Sequence, residues 1–323
     1  MDPLLLINLI IDNHLNLTDI KNLCKMNKHY FNTCTVYIDT IFKKLIEYYK
    51  IEISPTNLIF RNTGLTINSS HYEILKVFFD QFFDKTYIDC SRQHITSIPL
   101  LPNLTQLNCQ NNQLTSLPNF PNLTRLHCQN NQLITLSLGY PLLTNLFCQN
   151  NQLTTLPEYP LLTYLSCPNN QLTTLAEYPL LTYLFCQNNQ LTTLPKYPLL
   201  TDLYCVSNHL TSLPKFPKLK SLSCDHNQLT ILSEYPNLRY LNCPNNQLTT
   251  LPIFPELEHL YYNTDMISIQ DISKQPNLRF INREESDEES NEDSDEDSVE
   301  DSDEDSDEES NEDSDEEYHH NLS

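Results

Sequence analysis

A cysteine followed two residues later by a pair of asparagines recurs six times between residues 109 and 248 of this chain. The hexapeptide CQNNQL, or its variant CPNNQL, occurs at 109–114, 128–133, 148–153, 167–172, 186–191 and 243–248. A thiol beside amide side chains could belong to a nucleophilic site or to a metal site, because both use an ionisable sulfur. The pattern raises the question of whether this column of residues carries out chemistry or builds the fold.

The spacing of the cysteines favours a structural role. Zinc sites use Cys-x2-Cys spacing, which these repeats lack. On parallel strands about 4.8 Å apart, successive thiols point the same way and suit disulfide geometry poorly. Burial would raise the pKa of each thiol and make it a poor nucleophile. We therefore interpret the repeated cysteines as small core hydrophobes. The competing interpretation is that they form a metal or redox site. The cysteines concerned are Cys90, Cys109, Cys128, Cys148, Cys167, Cys186, Cys205, Cys224 and Cys243.

The elements that must position these residues form a repeat of about 19 residues. Ten units begin at Ile88, Leu107, Leu126, Leu146, Leu165, Leu184, Leu203, Leu222, Leu241 and Leu260. Eight of the units are 19 residues long, and Ile281-Asn282 begins an eleventh strand. A fixed period of this length predicts a solenoid, in which each unit buries its apolar face against its neighbours.

The repeat resembles a known family. The unit LTYLFCQNNQLTTLPKYP (181–198) reads L-x-x-L-x-C-x-x-N-x-L-x-x-L-P, which resembles the leucine-rich repeat, and most of all the short Leu-Pro type of bacterial effectors and giant viruses. The resemblance implies a solenoid of ten units (88–282). Helical spacing of apolar residues before it and acidic composition after it complete an α+β chain, with a small N-terminal helical module (1–86) and a disordered acidic tail (283–323). Short parallel strands would line the concave face, and the convex side would be extended, because so short a turn has no room for a full helix.

In eight of the ten units, one asparagine is predicted to be buried where the chain leaves the strand, and the end units have Gln93 and Asp265 at this position instead. There its amide can pair with backbone N–H and C=O groups of adjacent turns. These residues are Asn112, Asn131, Asn151, Asn170, Asn189, Asn208, Asn227 and Asn246.

Function should lie at the outward strand positions, which vary from unit to unit. Aromatic residues concentrate there in the fourth to seventh strands: Phe147, Tyr164, Tyr183, Phe185 and Tyr204. Clustered exposed aromatics are typical of a protein-binding site. The alternative is that Tyr and Phe are present for their strand propensity alone. His127 and His259 have no catalytic partner, and we expect no enzyme activity, metal or cofactor.

Composition excludes several function classes. The chain has only two glycines, too few for a phosphate-cradling loop. Of its 42 acidic residues, 23 lie between Glu284 and Glu317, which leaves 19 against the 19 Lys and Arg, so the net charge of −23 belongs to the tail. A neutral body with an anionic tail argues against nucleic-acid binding. No apolar run is long enough to span a membrane, no signal peptide is recognisable, and abundant cysteine favours a cytoplasmic or nuclear location.

The segment 2–45 carries apolar residues at helical spacing and resembles the F-box, whose members dock onto the Skp-family adaptor of cullin-RING ubiquitin ligases. The resemblance assigns adaptor contacts or motif-core positions to Pro3, Leu6, Ile10, Asp19, Ile20, Leu23, Met26 and Tyr30. The segment departs from the motif at Asp2-Pro3, at one insertion before Leu15 and at Tyr30, where tryptophan is common. The alternative is a helical cap that shields the first repeat.

The tail is too charged and too poor in apolar residues to fold. Several serines of the tail are followed by acidic residues and resemble casein kinase II sites. Phosphorylation would add negative charge. These serines are Ser286, Ser290, Ser294, Ser302, Ser306, Ser310 and Ser314. A solubilising tail is the alternative. Taken together, the chain resembles F-box and leucine-rich-repeat proteins of giant DNA viruses of mimivirus type. It would act as a non-enzymatic adaptor that binds a protein on the concave face, or, alternatively, as a plain leucine-rich-repeat binding or structural protein.

Overall fold

The structure is a computed structural model that describes residues 84–263 and 272–284, together with isolated positions and short runs between residues 47 and 82. The F-box-like segment and the tail beyond Glu284 lie outside the described residues, so the adaptor and phosphorylation assignments stay predictions. The described elements are α1 (Leu58–Thr63), β1 (Tyr87–Asp89), β2 (Gln106–Asn108), β3 (Arg125–His127), β4 (Asn145–Phe147), β5 (Tyr164–Ser166), β6 (Tyr183–Phe185), β7 (Asp202–Tyr204), β8 (Ser221–Ser223), β9 (Tyr240–Asn242), β10 (His259–Asn263) and β11 (Phe280–Glu284).

The strands form one parallel sheet in the order β1 to β11, with each strand paired to the next in sequence. The central leucine of one strand lies opposite that of the next, as Leu165 does with Leu184. β11 pairs with β10 along five residues, so the eleventh strand expected at Ile281-Asn282 is present. Identical repeats therefore stack in identical register, and each variable position forms a column along the sheet.

Leucine and cysteine columns fill the core, as the repeat pattern predicts. Nine cysteines are buried with free thiols. Between β1 and β10 the convex side has turns and extended chain without a helix, whereas Ile272 and Ser273, before β11, are helical. Its aromatic column is buried and stacked, with ring centroids of Tyr178 and Tyr197 6.2 Å apart. The Tyr178 hydroxyl donates to the Pro157 carbonyl at 3.1 Å, which satisfies the one polar atom of a buried phenol.

The buried asparagine of each repeat links two successive turns. The amide nitrogen of Asn170 donates to the carbonyl oxygens of Cys148 at 3.0 Å and Cys167 at 3.1 Å. Its Oδ1 accepts from the backbone N–H of Leu153 at 3.0 Å. The other seven asparagines of the column make equivalent bonds, from Asn112 to Asn246. The predicted role of these amides is confirmed.

In most repeats a second asparagine directly precedes the buried one, and it has a different role that was not predicted from the sequence. Asn111, Asn130, Asn150, Asn169 and Asn188 have φ between 53° and 57°, in the left-handed region. Asparagine tolerates this region better than most residues other than glycine. Their exposed side chains also bond to one another along the stack, as Asn169 does to Asn150 at 2.7 Å. A solenoid with so many tight turns can therefore contain only two glycines.

The segment before the repeats contacts the first unit. Asn57 is fully buried and forms a parallel bridge with Ser97, and its amide nitrogen donates to the Ser97 hydroxyl at 2.9 Å. Its Oδ1 accepts the Ile59 N–H at 2.9 Å and so caps the N-terminus of α1. Ile51, Leu58 and Ile59 join the hydrophobic core of the repeats. These contacts were not predicted, because a single asparagine outside the repeat carries no periodic signal.

Asn170→Ala should lower the free energy of unfolding by about 2 to 4 kcal/mol, because buried carbonyl and N–H groups of two turns lose their partner. The exposed neighbour Gln171 offers a matched control, and Gln171→Ala should change stability by less than about 0.5 kcal/mol. Urea unfolding followed by circular dichroism measures both. Equal midpoints for the two variants would contradict the structural role of the buried amide.

Candidate protein-binding surface

The aromatic side chains predicted to bind a partner do lie together on the sheet. We call Phe147, Tyr164, Tyr183, Phe185 and Tyr204 the aromatic patch; it spans β4 to β7. The ring of Tyr164 lies 4.8 Å from that of Phe147, 5.8 Å from that of Tyr183 and 5.6 Å from that of Phe185. Phe185 and Tyr204 stack at 4.7 Å with an interplanar angle of 7°. The register of the strands thus joins residues 57 positions apart into one cluster.

The patch is less exposed than the sequence analysis expected. Only Tyr183, at 43% exposure, is an exposed large hydrophobic residue, and the other four rings are half-buried. The reason is that rings on successive strands, about 4.8 Å apart, cover one another's faces. The patch therefore presents mainly ring edges to a partner.

His127 extends the patch to β3. Its ring stacks on Phe147 at 4.3 Å with an interplanar angle of 12°. Burial, followed by the nearby Arg125 guanidinium, lowers the pKa of the His127 imidazole. From the sequence, His127 was a possible catalytic residue without a partner, since a sequence does not show which rings will stack.

A second aromatic group lies at the C-terminal end of the sheet, and the sequence analysis did not single it out. Tyr240 and Tyr261 lie 5.5 Å apart, and Phe280 is 5.7 Å from Tyr261 and 5.9 Å from His259. The strand between the two groups, β8, carries only serines at its outward positions. The sequence already places Tyr240, His259 and Tyr261 at outward strand positions. They form a cluster with Phe280 because β11 pairs with β10.

The nine described thiols are free and buried. Burial, assisted by the nearby Asp89 and Asp225 carboxylates respectively, raises the pKa of the Cys90 and Cys243 thiols to about 12. Burial raises the pKa of the other seven as well. Within residues 84–263 and 272–284 and the positions described before them, no group of three or more His, Cys, Asp or Glu could hold a metal ion. In that same part of the chain, no helix has the length and apolarity to cross a membrane.

Solved structures place this architecture among known proteins, although no family model and no curated protein matches the chain. YopM, a leucine-rich effector protein from Yersinia pestis, matches with a TM-score of 0.55 and 29% identity over 76% of each chain. The described repeats form a leucine-rich-repeat solenoid. The functional domain of InlJ from Listeria monocytogenes, which includes a cysteine ladder, matches with a TM-score of 0.51 and 30% identity over 64% of this chain and 54% of the InlJ chain.

Alkaline pH should destabilise this solenoid. An unfolded thiol ionises near pH 8.5, whereas the folded Cys243 thiol stays protonated up to about pH 12. Between these values the free energy of unfolding should fall by about 1.4 kcal/mol per pH unit for each buried thiol. Below about pH 8.5 the thiols should contribute no pH dependence.

The test is the thermal unfolding midpoint, measured by circular dichroism from neutral pH to about pH 11. A Cys243→Val variant keeps an apolar side chain in the column but removes one ionisable group, so its midpoint should fall less steeply with pH than that of the wild type. Identical slopes above pH 8.5 in the two proteins would show that this thiol is not shielded.

Proposed function

We propose that this protein is a non-enzymatic protein-interaction adaptor that binds a polypeptide partner through the aromatic patch. The observation that carries the proposal is the joining of Phe147, Tyr164, Phe185 and Tyr204 into one cluster by the register of four strands. Tyr183 adds the most exposed ring. Aromatic side chains are enriched where binding energy concentrates in protein interfaces.

The ring geometry favours a polypeptide over a nucleic acid. Bases bind by stacking on an exposed aromatic face and by contacts of Lys and Arg with phosphates. In the patch, the ring faces of Phe185 and Tyr204 cover each other. Residues 126–195, which contain most of the patch, have no Lys or Arg. Ring edges and phenol hydroxyls suit the mixed apolar and hydrogen-bonding surface of a protein.

A double substitution of the patch should weaken binding at least tenfold without unfolding the chain. Phe185→Ser and Tyr183→Ser place in β6 the residues that β8 has at the same two positions, Ser223 and Ser221. The stack therefore already accommodates serine there. Loss of the anchoring rings should remove most of the binding energy.

The measurement is quantitative mass spectrometry of proteins retained from a eukaryotic lysate by wild-type and variant chains, followed by the affinity of the purified partner. Glu177→Ser, at an exposed position on the convex side, is the control and should retain the same partner. A partner that binds all three chains equally would refute the patch as its binding site.

The finer form of the proposal is an F-box substrate receptor that links the bound protein to a host cullin-RING ubiquitin ligase. Its support is the resemblance of residues 2–45 to the F-box motif. The competing form is a plain leucine-rich-repeat binding or structural protein whose N-terminal residues only cap the solenoid. The burial of Asn57 against Ser97 supports a capping role for the segment next to the repeats. The buried free thiols support a location in a reducing compartment, the cytoplasm or nucleus.

Binding of the full chain to a purified Skp-family adaptor separates these two forms. If the F-box assignment holds, the adaptor should bind, and Ile10→Asp or Leu23→Asp should abolish binding, because each places a charge at a predicted apolar contact. Thermal unfolding of each variant should match the wild type. No binding of the wild type at about tens of micromolar would leave the plain repeat protein as the proposed function.

A further inference from the structure

A column of exposed leucines runs along the turns that lead into β4, β5, β6 and β7. Leu142 is 42% exposed, and Leu161 and Leu180 are each 39% exposed. Leu199, at the same position of the next unit, is half-buried. We call these four residues the leucine rim. Exposed leucine in one place is unremarkable, but four in register form a continuous apolar strip about 14 Å long at the strand spacing of parallel sheets.

The turn itself does not require leucine. In each unit the rim residue follows the proline of a turn closed by a backbone bond, such as the Leu162 N–H to the Tyr159 carbonyl at 3.1 Å. Other units have asparagine at this position, and its amide donates to the preceding unit's proline carbonyl. These bonds are Asn122 to Pro102 at 2.8 Å, Asn237 to Pro217 at 2.9 Å and Asn277 to Pro255 at 2.6 Å. Four consecutive units therefore lack a stabilising bond and expose apolar surface instead.

The leucine rim and the aromatic patch lie in the same four repeats. Each rim leucine lies three residues before the first outward position of its strand, as Leu161 does before Tyr164 and Leu180 before Tyr183. The units before β4 and after β7 have no leucine at this turn position. Two independent columns, one on the strands and one on the turns, thus become apolar in the same four repeats.

Positive charge begins where the leucines end. The next unit places Lys218 at the rim position, and Lys220 follows it directly before β8. Arg239 occupies the position of Lys220 one unit later, and all three side chains are exposed. We call these three residues the basic end. The unit after that has Glu256 and Glu258 at the two positions, and positive charge returns in these columns only at Arg279, directly before β11.

Lys220 and Arg239, directly before β8 and β9, stand where earlier units have a threonine that stabilises the stack. Seven earlier units have threonine at this position: Thr86, Thr105, Thr124, Thr144, Thr163, Thr182 and Thr201. The Thr201 hydroxyl, for example, donates to the Thr182 carbonyl at 3.1 Å. Lys220 and Arg239 carry no hydroxyl for such a bond, and they place two cations side by side.

We propose that the leucine rim and the basic end together bind one linear segment of the partner protein, whose apolar side chains cover the leucines and whose Asp or Glu residues contact the basic end. The charge complementarity of the basic end to an acidic segment selects this occupant. The inference rests on the proposed function and adds the chemistry of the partner. Six strands span about 24 Å, which an extended segment of about eight residues covers.

The chain supplies matched variants for the test. Leu161→Asn with Leu180→Asn installs the residue that Asn122 and Asn237 already place in this turn, so the fold should keep or gain stability. Lys220→Thr with Arg239→Thr extends the threonine column. Both double variants should unfold at or above the wild-type temperature, which separates loss of binding from loss of structure.

The experiment is a selection from a displayed library of random peptides of about 12 residues on the immobilised full chain, followed by affinities of the enriched peptides as synthetic probes. We expect peptides with several apolar residues adjacent to two or more acidic residues. The asparagine variant should weaken their binding at least tenfold. The threonine variant should weaken it several-fold at about 0.05 M salt and much less at about 0.5 M, because salt screens the exposed charges.

Enrichment of no peptide, or of peptides without acidic residues, would overturn the proposal, as would equal binding to both double variants and the wild type. Peptides or partners that lose binding only with Phe185→Ser and Tyr183→Ser would preserve the proposed function and reject the rim. Binding that none of these variants weakens would reject both the leucine rim and the aromatic patch as binding sites.

Discussion

The amide of one buried asparagine per repeat is the interaction on which the rest of this solenoid depends. A turn that leaves a strand and enters a packed core carries backbone groups that water cannot reach, and each must find a partner. Asn170 donates to carbonyls of its own turn and of the preceding one, and accepts an N–H from the preceding unit. Because the same bonds recur from unit to unit, they hold every repeat at one register and one spacing.

Because the register is fixed, equivalent residues of successive repeats form columns, and each column has its own structural role. Leucine and cysteine columns exclude water from the core, and the left-handed asparagines make the bend. A repeat that departs from its column is then informative, because the backbone around it is the same as in its neighbours. Asparagine at the turn before β9 bonds to the preceding proline carbonyl, whereas Leu161 and Leu180 expose apolar surface in the same setting. The difference therefore changes the chemistry of the surface without changing the turn that carries it.

Tyrosine shows how position decides the role of a residue type. Tyr178 on the convex side is buried, and its hydroxyl bonds to a backbone carbonyl. Tyr183 on the sheet is 43% exposed beside other rings. The first contributes to the stability of the stack, and the second leaves apolar surface available to a partner. The cysteines of the repeats share one role: their repetition suggested chemistry, yet their buried thiols, with raised pKa values, act as small apolar side chains.

The sequence by itself determined the period, the parallel strands, the inward leucines and cysteines, and the bridging asparagines, because each recurs in at least eight of the ten units and one unit explains the others. It also placed the five patch aromatics at outward positions. Only the tertiary structure decided that their rings stack and hide their faces, that His127 joins them, that Phe280 on β11 completes a second group, and that Asn57 closes the first unit. These features depend on contacts between different strands or on a residue outside the period, and neither leaves a periodic signal in the chain.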